Sequence, residues 1–271
     1  MKKLIFGSGK VANIIADKDS IIIPRTRCDI TDLSAVSLVI RGEKPDIVIN
    51  CAAIGNLERC EEGKLKSYMV NTLGPINLLA SCEKDDIKFV HISSGCLFDG
   101  NEEASDETTI PDPKVWYTRN KMWADDFITN YGYANYLILR PRQLISRIPH
   151  PTNMLTKFAS MEKIAAIQEA NSITCIEDFS MMVSHLIDCS ATGIYNCANE
   201  GTLTPHDIAM AVKETINPDL QVSITTYAEF LSILQNKRVN TILNIDKLKS
   251  TGFEPRSSKE ALQWCVKNYG R

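Results

Sequence analysis

The stretch Gly7-Ser8-Gly9-Lys10-Val11-Ala12 follows directly on an apolar run, Lys3–Phe6, and opens a segment with helical periodicity. This strand–glycine turn–helix order constrains the fold more than any other feature. Glycines at the first two positions permit a tight turn and close approach of backbone to a pyrophosphate seated on the helix N-terminus. The third position needs only close helix–strand packing, which Ala12 satisfies. The spacing alone is a weak signal, and a strand–helix turn without a ligand would read the same way. Its setting strengthens it. Further β-rich runs at Ser20–Ile23, Ile47–Asn50, Lys88–Ile92 and Tyr136–Leu139 alternate with amphipathic stretches at Leu33–Arg41, Lys64–Glu83 and Tyr117–Asn130.

Short continuous Ile/Val/Leu runs are what parallel strands buried on both faces look like. The expected fold class is therefore α/β: a Rossmann-type doubly wound parallel sheet with a smaller α/β substrate-binding part. A cofactor-binding domain is expected over residues 1–145. A substrate-binding part follows over 146–271, with elements at about 165–200 returning to the first domain. Asp99–Lys114, acidic and carrying Pro111 and Pro113, reads as a surface loop.

Composition narrows the function classes. Thirty Lys plus Arg against 33 Asp plus Glu give a net charge of −3, without a basic block, so no nucleic-acid partner is expected. The longest apolar run, Ile47–Ile54, contains Asn50 and is too short to span a bilayer, which predicts no membrane partner and a cytoplasmic location. Nine cysteines show no C-x-x-C pair and no His at zinc-site spacing, so free thiols and no metal are expected.

The end of the second run bears on cofactor choice. Asp or Glu there would accept from a ribose 2′-hydroxyl, but here Arg25 and Arg27 come first and Asp29 follows. Guanidinium suits a 2′-phosphate. NADPH is the preferred reading, with NADH as an alternative. Asp29-Ile30-Thr31-Asp32 reads as an adenine-side turn ending in a helix N-cap at Asp32.

Tyr117 and Lys121 lie four residues apart on an expected helix, hence on one face. The run before that helix ends in Ser93-Ser94, and ligands of open α/β sheets sit at strand carboxyl ends. With Asn50-Cys51-Ala52-Ala53, Val70-Asn71 and Leu139-Arg140-Pro141, these residues resemble the extended short-chain dehydrogenase/reductase family. The motif His91-Ile92-Ser93-Ser94-Gly95-Cys96-Leu97-Phe98-Asp99-Gly100 is similar to the dTDP-4-dehydrorhamnose reductase branch. Cys60-Glu61, Ser94–Phe98 and Thr152–Lys157 further resemble the bifunctional nucleotide-4-keto-rhamnose 3,5-epimerase/4-reductases.

That resemblance implies Ser94, Tyr117 and Lys121 as the reducing set and Cys96 with Lys157 as the epimerising pair. It implies cofactor contacts from Gly7, Ser8, Gly9, Lys10, Val11, Arg25, Asp29, Ile30, Cys51, Ala52, Ala53, Asn71, Tyr117 and Lys121. Substrate contacts would come from Ser94, Cys96, Arg142, Asn153, Lys157 and Thr174. The partner is a nucleoside-diphosphate sugar, and a homodimer is among the assemblies implied. The chemistry is coherent. A phenol titrates near ~10, so Lys121 is expected to lower Tyr117, while Ser94 steadies charge on the carbonyl oxygen. Protons at C3 and C5 flank the C4 ketone, and Cys96, sharing a face with Ser94 if the chain stays extended, could exchange them with Lys157. The implied product is an NDP-L-rhamnose, UDP-L-rhamnose favoured. A monofunctional 4-reductase and a non-catalytic nucleotide-binding regulatory subunit remain open.

Overall fold

The computed structural model describes the whole chain apart from residues 100–102, 235, 237 and 238, so Gly100 of the serine motif lies outside the described residues. In chain order the elements begin β1 (Lys3–Phe6), α1 (Lys10–Ile15), β2 (Ser20–Ile23), α2 (Leu33–Glu43) and β3 (Ile47–Asn50). They continue α3 (Leu57–Glu62), α4 (Lys64–Tyr68), α5 (Gly74–Glu83), β4 (Lys88–Ile92), α6 (Trp116–Asn130) and β5 (Tyr136–Pro141). After these come β6 (Leu144–Ile145), α7 (Met154–Ala159), β7 (Lys163–Ala166), β8 (Thr174–Cys175), α8 (Ile176–Asp188) and β9 (Gly193–Cys197). The chain closes with α9 (Pro205–Thr215), β10 (Gln221–Ile224), α10 (Tyr227–Ser232), α11 (Asp246–Lys249) and α12 (Ser258–Lys267). No helix among the described residues is long and apolar enough to cross a membrane.

The chain divides into two compact units. The first comprises Met1–Leu97, Ile110–Arg140 and Val183–Tyr195, the second Phe98–Thr109, Pro141–Met182 and Asn196–Arg271. The main sheet runs β2-β1-β3-β4-β5-β9, and β1 through β5 pair in parallel. Because β1 lies between β2 and β3, the winding reverses there, the switch point at which such sheets take ligands. Register aligns Phe6 with Asn50 and Asn50 with His91, so the turns after β1, β3 and β4 open at one edge. Leu4, Phe6, Val48, Phe89 and Ile138 are buried together with Val36 and Ile40 of α2 and Leu78, Leu79 and Cys82 of α5. In the second unit Ile145, Leu155, Ile173, Ile208, Val212, Leu262 and Val266 form a separate core.

Two expectations need correction. The stretch Lys64–Glu83 is not one regular helix: α4 and α5 flank a π-helical turn, Met69–Leu73. Pro75 has no N–H for the carbonyl four residues back, that of Asn71, so the ordinary pattern fails there. Gly74 is also demanded by packing, since a Cβ would lie 2.4 Å from Ile30 Cδ1. The described part of Asp99–Lys114 is not all surface loop. Ser105 is buried, donates its N–H to Ile242 O at 2.8 Å and accepts from Asn244 N at 2.8 Å. Asn196 holds it from the other side, Nδ2 donating to Ser105 O at 3.0 Å. A backbone–backbone bridge to a segment far along the chain leaves no local signature in polar, proline-bearing sequence.

Candidate active site

The turn after β1 is built around Gly7. Its φ of +103° belongs to the region glycine tolerates best, and a Cβ there would stand 2.8 Å from Ala52 N. The turn therefore touches the loop after β3 backbone to backbone. Gly9 is exposed, a Cβ on it would meet nothing within 4 Å, and as N-cap of α1 it carries no side-chain cap. Ser8 is exposed and Lys10 and Val11 are half-buried beside it. This open glycine cradle at a helix start fits the pyrophosphate of a dinucleotide.

At the end of β2 both arginines have carboxylate partners. Arg25 Nε donates to Asp29 Oδ2 at 3.0 Å, and Arg27 pairs with Glu43. Arg25 is largely exposed, and exposed pairs of this kind hold weakly, so a phosphate dianion can compete for the guanidinium. Asp29 Oδ1 accepts from Thr31 N and Oγ1 at 3.0 and 2.9 Å, closing the expected turn. Burial acts to raise the Asp29 carboxyl, but the bonds from Thr31 and Arg25 outweigh it and leave it below its ordinary value. Ile30 is buried, its carbonyl accepting from Asn77 Nδ2, and Asp32 caps α2 through Ala35 N.

After β3, Asn50 Oδ1 accepts from Ala52 N at 3.0 Å while Nδ2 faces His91 Nδ1 at 3.1 Å. Cys51 and Ala52 are half-buried and Ala53 is exposed at this edge. Asn71, in the π turn, is fully buried and clamps Ile54, accepting from its N–H at 2.8 Å and donating to its carbonyl at 3.0 Å. Both ends of Asn71 are thus engaged. In the structure these bonds tie Asn71 to the loop that follows β3.

The reducing set converges at the end of β4. Trp116 N, in the first turn of α6, donates to Glu61 Oε1 at 2.6 Å, a carboxylate at a helix N-terminus that fixes where Tyr117 emerges. Tyr117 is hydrogen-bonded with Ser94, whose Oγ also accepts from Cys96 N at 3.1 Å. Lys121, buried, donates from Nζ to Ile92 O at 2.8 Å. Cys96 is half-buried and close enough that a thiolate there would raise the phenol.

Two expectations about this cluster are corrected. Tyr117 is not lowered: burial first, then Cys96, pushes the phenol above its ordinary value, against the Ser94 hydrogen bond. Lys121 spends its charge on the Ile92 carbonyl, and burial drops its own pKa to about 8, with Asp125 opposing the fall. Nor is the segment after Ser94 extended. Gly95–Leu97 is a 3-10 turn because Ser94 Oγ captures the Cys96 N–H, so Ser94 and Cys96 meet through a turn and not through strand alternation.

Sequence reasoning missed the support beneath this site. Asp125, one turn beyond Lys121, accepts from Arg140 Nε at 3.0 Å, both side chains only 4% exposed. The i, i+4 spacing to Lys121 was the available signal.

In the second unit, Arg142 is buried, its Nη2 donating to Asn171 Oδ1 at 2.7 Å, and its N–H donates to Thr174 Oγ1 at 3.0 Å. Thr174 is itself buried and donates to Cys197 O at 2.8 Å. Asn153 is fully buried as the N-cap of α7, accepting from Leu155 N and donating to Ser146 O and Ile148 O. In the structure Thr174 and Asn153 are each bonded to neighbouring backbone. Lys157 is exposed on α7 with no side-chain partner among the described residues.

A parallel doubly wound sheet with a glycine cradle at its switch point, and a Ser, Tyr and Lys converging at the end of β4, define a short-chain dehydrogenase/reductase-type protein. Residues 7–271 match the RmlD substrate binding domain family, and the chain belongs to it. Over 243 residues it is 27% identical to the bifunctional dTDP-4-dehydrorhamnose 3,5-epimerase/dTDP-4-dehydrorhamnose reductase of Arabidopsis thaliana, covering 85% of this chain and 79% of that one. Its fold matches the dTDP-4-dehydrorhamnose reductase of Bacillus anthracis, solved in complex with NADP, with a TM-score of 0.89 at 24% identity over 97% and 98% of the two chains. The L780 UDP-rhamnose synthase of Acanthamoeba polyphaga mimivirus superposes with a TM-score of 0.86 at 25% identity over 99% of each.

Proposed function

We propose that this protein is an NADPH-dependent 3,5-epimerase/4-reductase of a nucleoside-diphosphate 4-keto-6-deoxyhexose, giving an NDP-L-rhamnose with UDP favoured as the nucleotide. The observation that carries the reading is the convergence of Ser94, Tyr117, Lys121 and Cys96 at one strand end. Family membership supports it, as do the names of the plant bifunctional relative and the viral UDP-rhamnose synthase. The glycine cradle of the first unit suits the cofactor, and the second unit is assigned to the sugar nucleotide.

NADPH, when bound, supplies a hydride to C4. Tyr117, held protonated by its raised pKa, gives its proton to the carbonyl oxygen, and Ser94 donates a hydrogen bond to that oxygen. Cys96 serves C3 and C5 from the turn beside Ser94, and the resemblance to the bifunctional enzymes assigns Lys157 as the second proton-transferring group.

The deciding experiment is incubation with UDP-4-keto-6-deoxyglucose and NADPH in deuterated water, with NMR of the product. Deuterium at C3 and C5 with L-rhamno configuration is the expected result, and Cys96→Ser should abolish that exchange. Reduction without deuterium makes the protein a 4-reductase alone. Silence with both UDP and dTDP sugars would leave a nucleotide-binding subunit.

Arg25→Ala is expected to raise the KM for NADPH by about 10–100-fold, the worth of a charge-assisted bond, while the KM for NADH stays put. Equal changes for both cofactors would show that Arg25 does not read the 2′-phosphate.

A further inference from the structure

Outside this site the second unit holds a second cluster of chemistry-bearing side chains. Cys175 ends β8, Glu177 lies in the first turn of α8, and Cys265 lies on α12. Cys175 Sγ is 3.5 Å from Cys265 Sγ and 3.2 Å from Glu177 Oε2, and the three donor atoms lie within 4.8 Å of one another. Both cysteines are fully buried.

We propose that Cys175, Glu177 and Cys265 form a binding site for a single divalent transition-metal ion of the zinc class. The geometry carries it. A tetrahedral ion with Zn–S of ~2.3 Å and Zn–O of ~2.0–2.2 Å sets S–S edges of about 3.8 Å and S–O edges of about 3.5 Å. The Cys175–Cys265 and Cys175–Glu177 separations fall within about 0.3 Å of those edges, and the third pair closes within 4.8 Å, so the ligands are gathered before any ion enters. In the ion-free protein the Cys175 thiol donates to Glu177 Oε2, and an ion would take the place of that proton between the same two atoms.

Glu177 is also aimed from behind. Its Oε1 accepts from Ser146 Oγ at 2.7 Å and Arg147 N at 3.2 Å, leaving Oε2 turned to the sulfurs. Such outer bonds orient the ligand. Charge balances as well: two thiolates and a carboxylate exceed a dication by one negative charge. Arg147 Nε, 3.9 Å from Glu177 Oε1, supplies the offsetting cation, while Arg256, 3.9 Å from Cys175 Sγ, is itself paired with Asp178. Binding replaces two S–H bonds with two S–metal bonds and releases two protons to water, so affinity rises with pH.

The test is titration of the reduced, full-length protein with Co2+, reading thiolate-to-cobalt charge-transfer absorption, followed by competition with Zn2+. One equivalent should bind with that absorption and Zn2+ should displace it. Cys265→Ser should abolish the band and Glu177→Gln should weaken binding. Ser146→Ala, which touches no metal, should cost ~10–100-fold in affinity. Cys82→Ala, a buried thiol of the first unit, should change nothing. No charge-transfer band in the wild type overturns the proposal, as does a band that survives Glu177→Gln and Ser146→Ala unchanged. These two variants decide the matter even if Cys265→Ser does not fold.

Discussion

Tyr117→Phe is expected to lower kcat for ketone reduction by about 10²–10⁴-fold, the usual contribution of a positioned acid, with little change in the KM of the sugar nucleotide. The ring stays, so packing in α6 is kept; what is lost is the proton and the bond with Ser94. If Cys96 carries the epimerisation as proposed, exchange of deuterium into C3 and C5 should persist in this variant. Loss of both activities together would show that Tyr117 holds the site's shape and does not act as its acid.

The pH profile adds an independent reading. Because the phenol's pKa is raised, Tyr117 stays protonated across neutral pH and imposes no limb there. Lys121, at about 8, loses its ammonium on the alkaline side. A charged Lys121 favours the phenolate left after proton transfer, so kcat/KM in the wild type should be flat at neutral pH and fall as pH rises through about 8. Rate measurements between pH 6 and 9.5 would show it, and a rising alkaline limb would contradict the assignment of Lys121.

What could be read in the sequence follows from which interactions are local. The strands β1 to β4 have the expected limits because buried parallel strands are written as unbroken Ile/Val/Leu runs between glycine or polar breaks. Asp32 could be read as a cap because the bond it makes spans three residues. The clamp of Asn71 on Ile54 could not, since it spans 17 residues, and the pairing of Ser105 could not, since its partners lie near residue 242. The site divides in the same way. Ser94, Tyr117 and Lys121 are legible as a strand end and one helix face. The buried bonds of Asn153 and Thr174 are not, because those of Thr174 join it to Arg142 and Cys197, far along the chain, and an Asn side chain carries no sign of which carbonyls it will meet. Cys175 and Cys265 stand 90 residues apart, where no spacing rule applies.

Asp125→Ala is expected to destabilise the protein by about 3–5 kcal/mol, because it strands Arg140 in the interior without its carboxylate. For a protein of this size that corresponds to a fall in Tm of roughly 10 °C by calorimetry. Burial, first of all, raises the carboxyl, and the charge and hydrogen bond of Arg140 oppose that rise. Replacing both partners with apolar side chains, Asp125→Leu with Arg140→Met, should recover most of the loss, since the penalty comes from an unmatched charge. The double variant then separates structure from chemistry. Asp125 is the strongest influence keeping Lys121 charged against burial, so removing it should move the alkaline fall in kcat/KM to lower pH even where Tm is restored. If the recovered double variant keeps the wild-type profile, the ion pair is purely structural. A shifted profile makes Asp125 the residue that sets the charge of Lys121, and through it the proton of Tyr117.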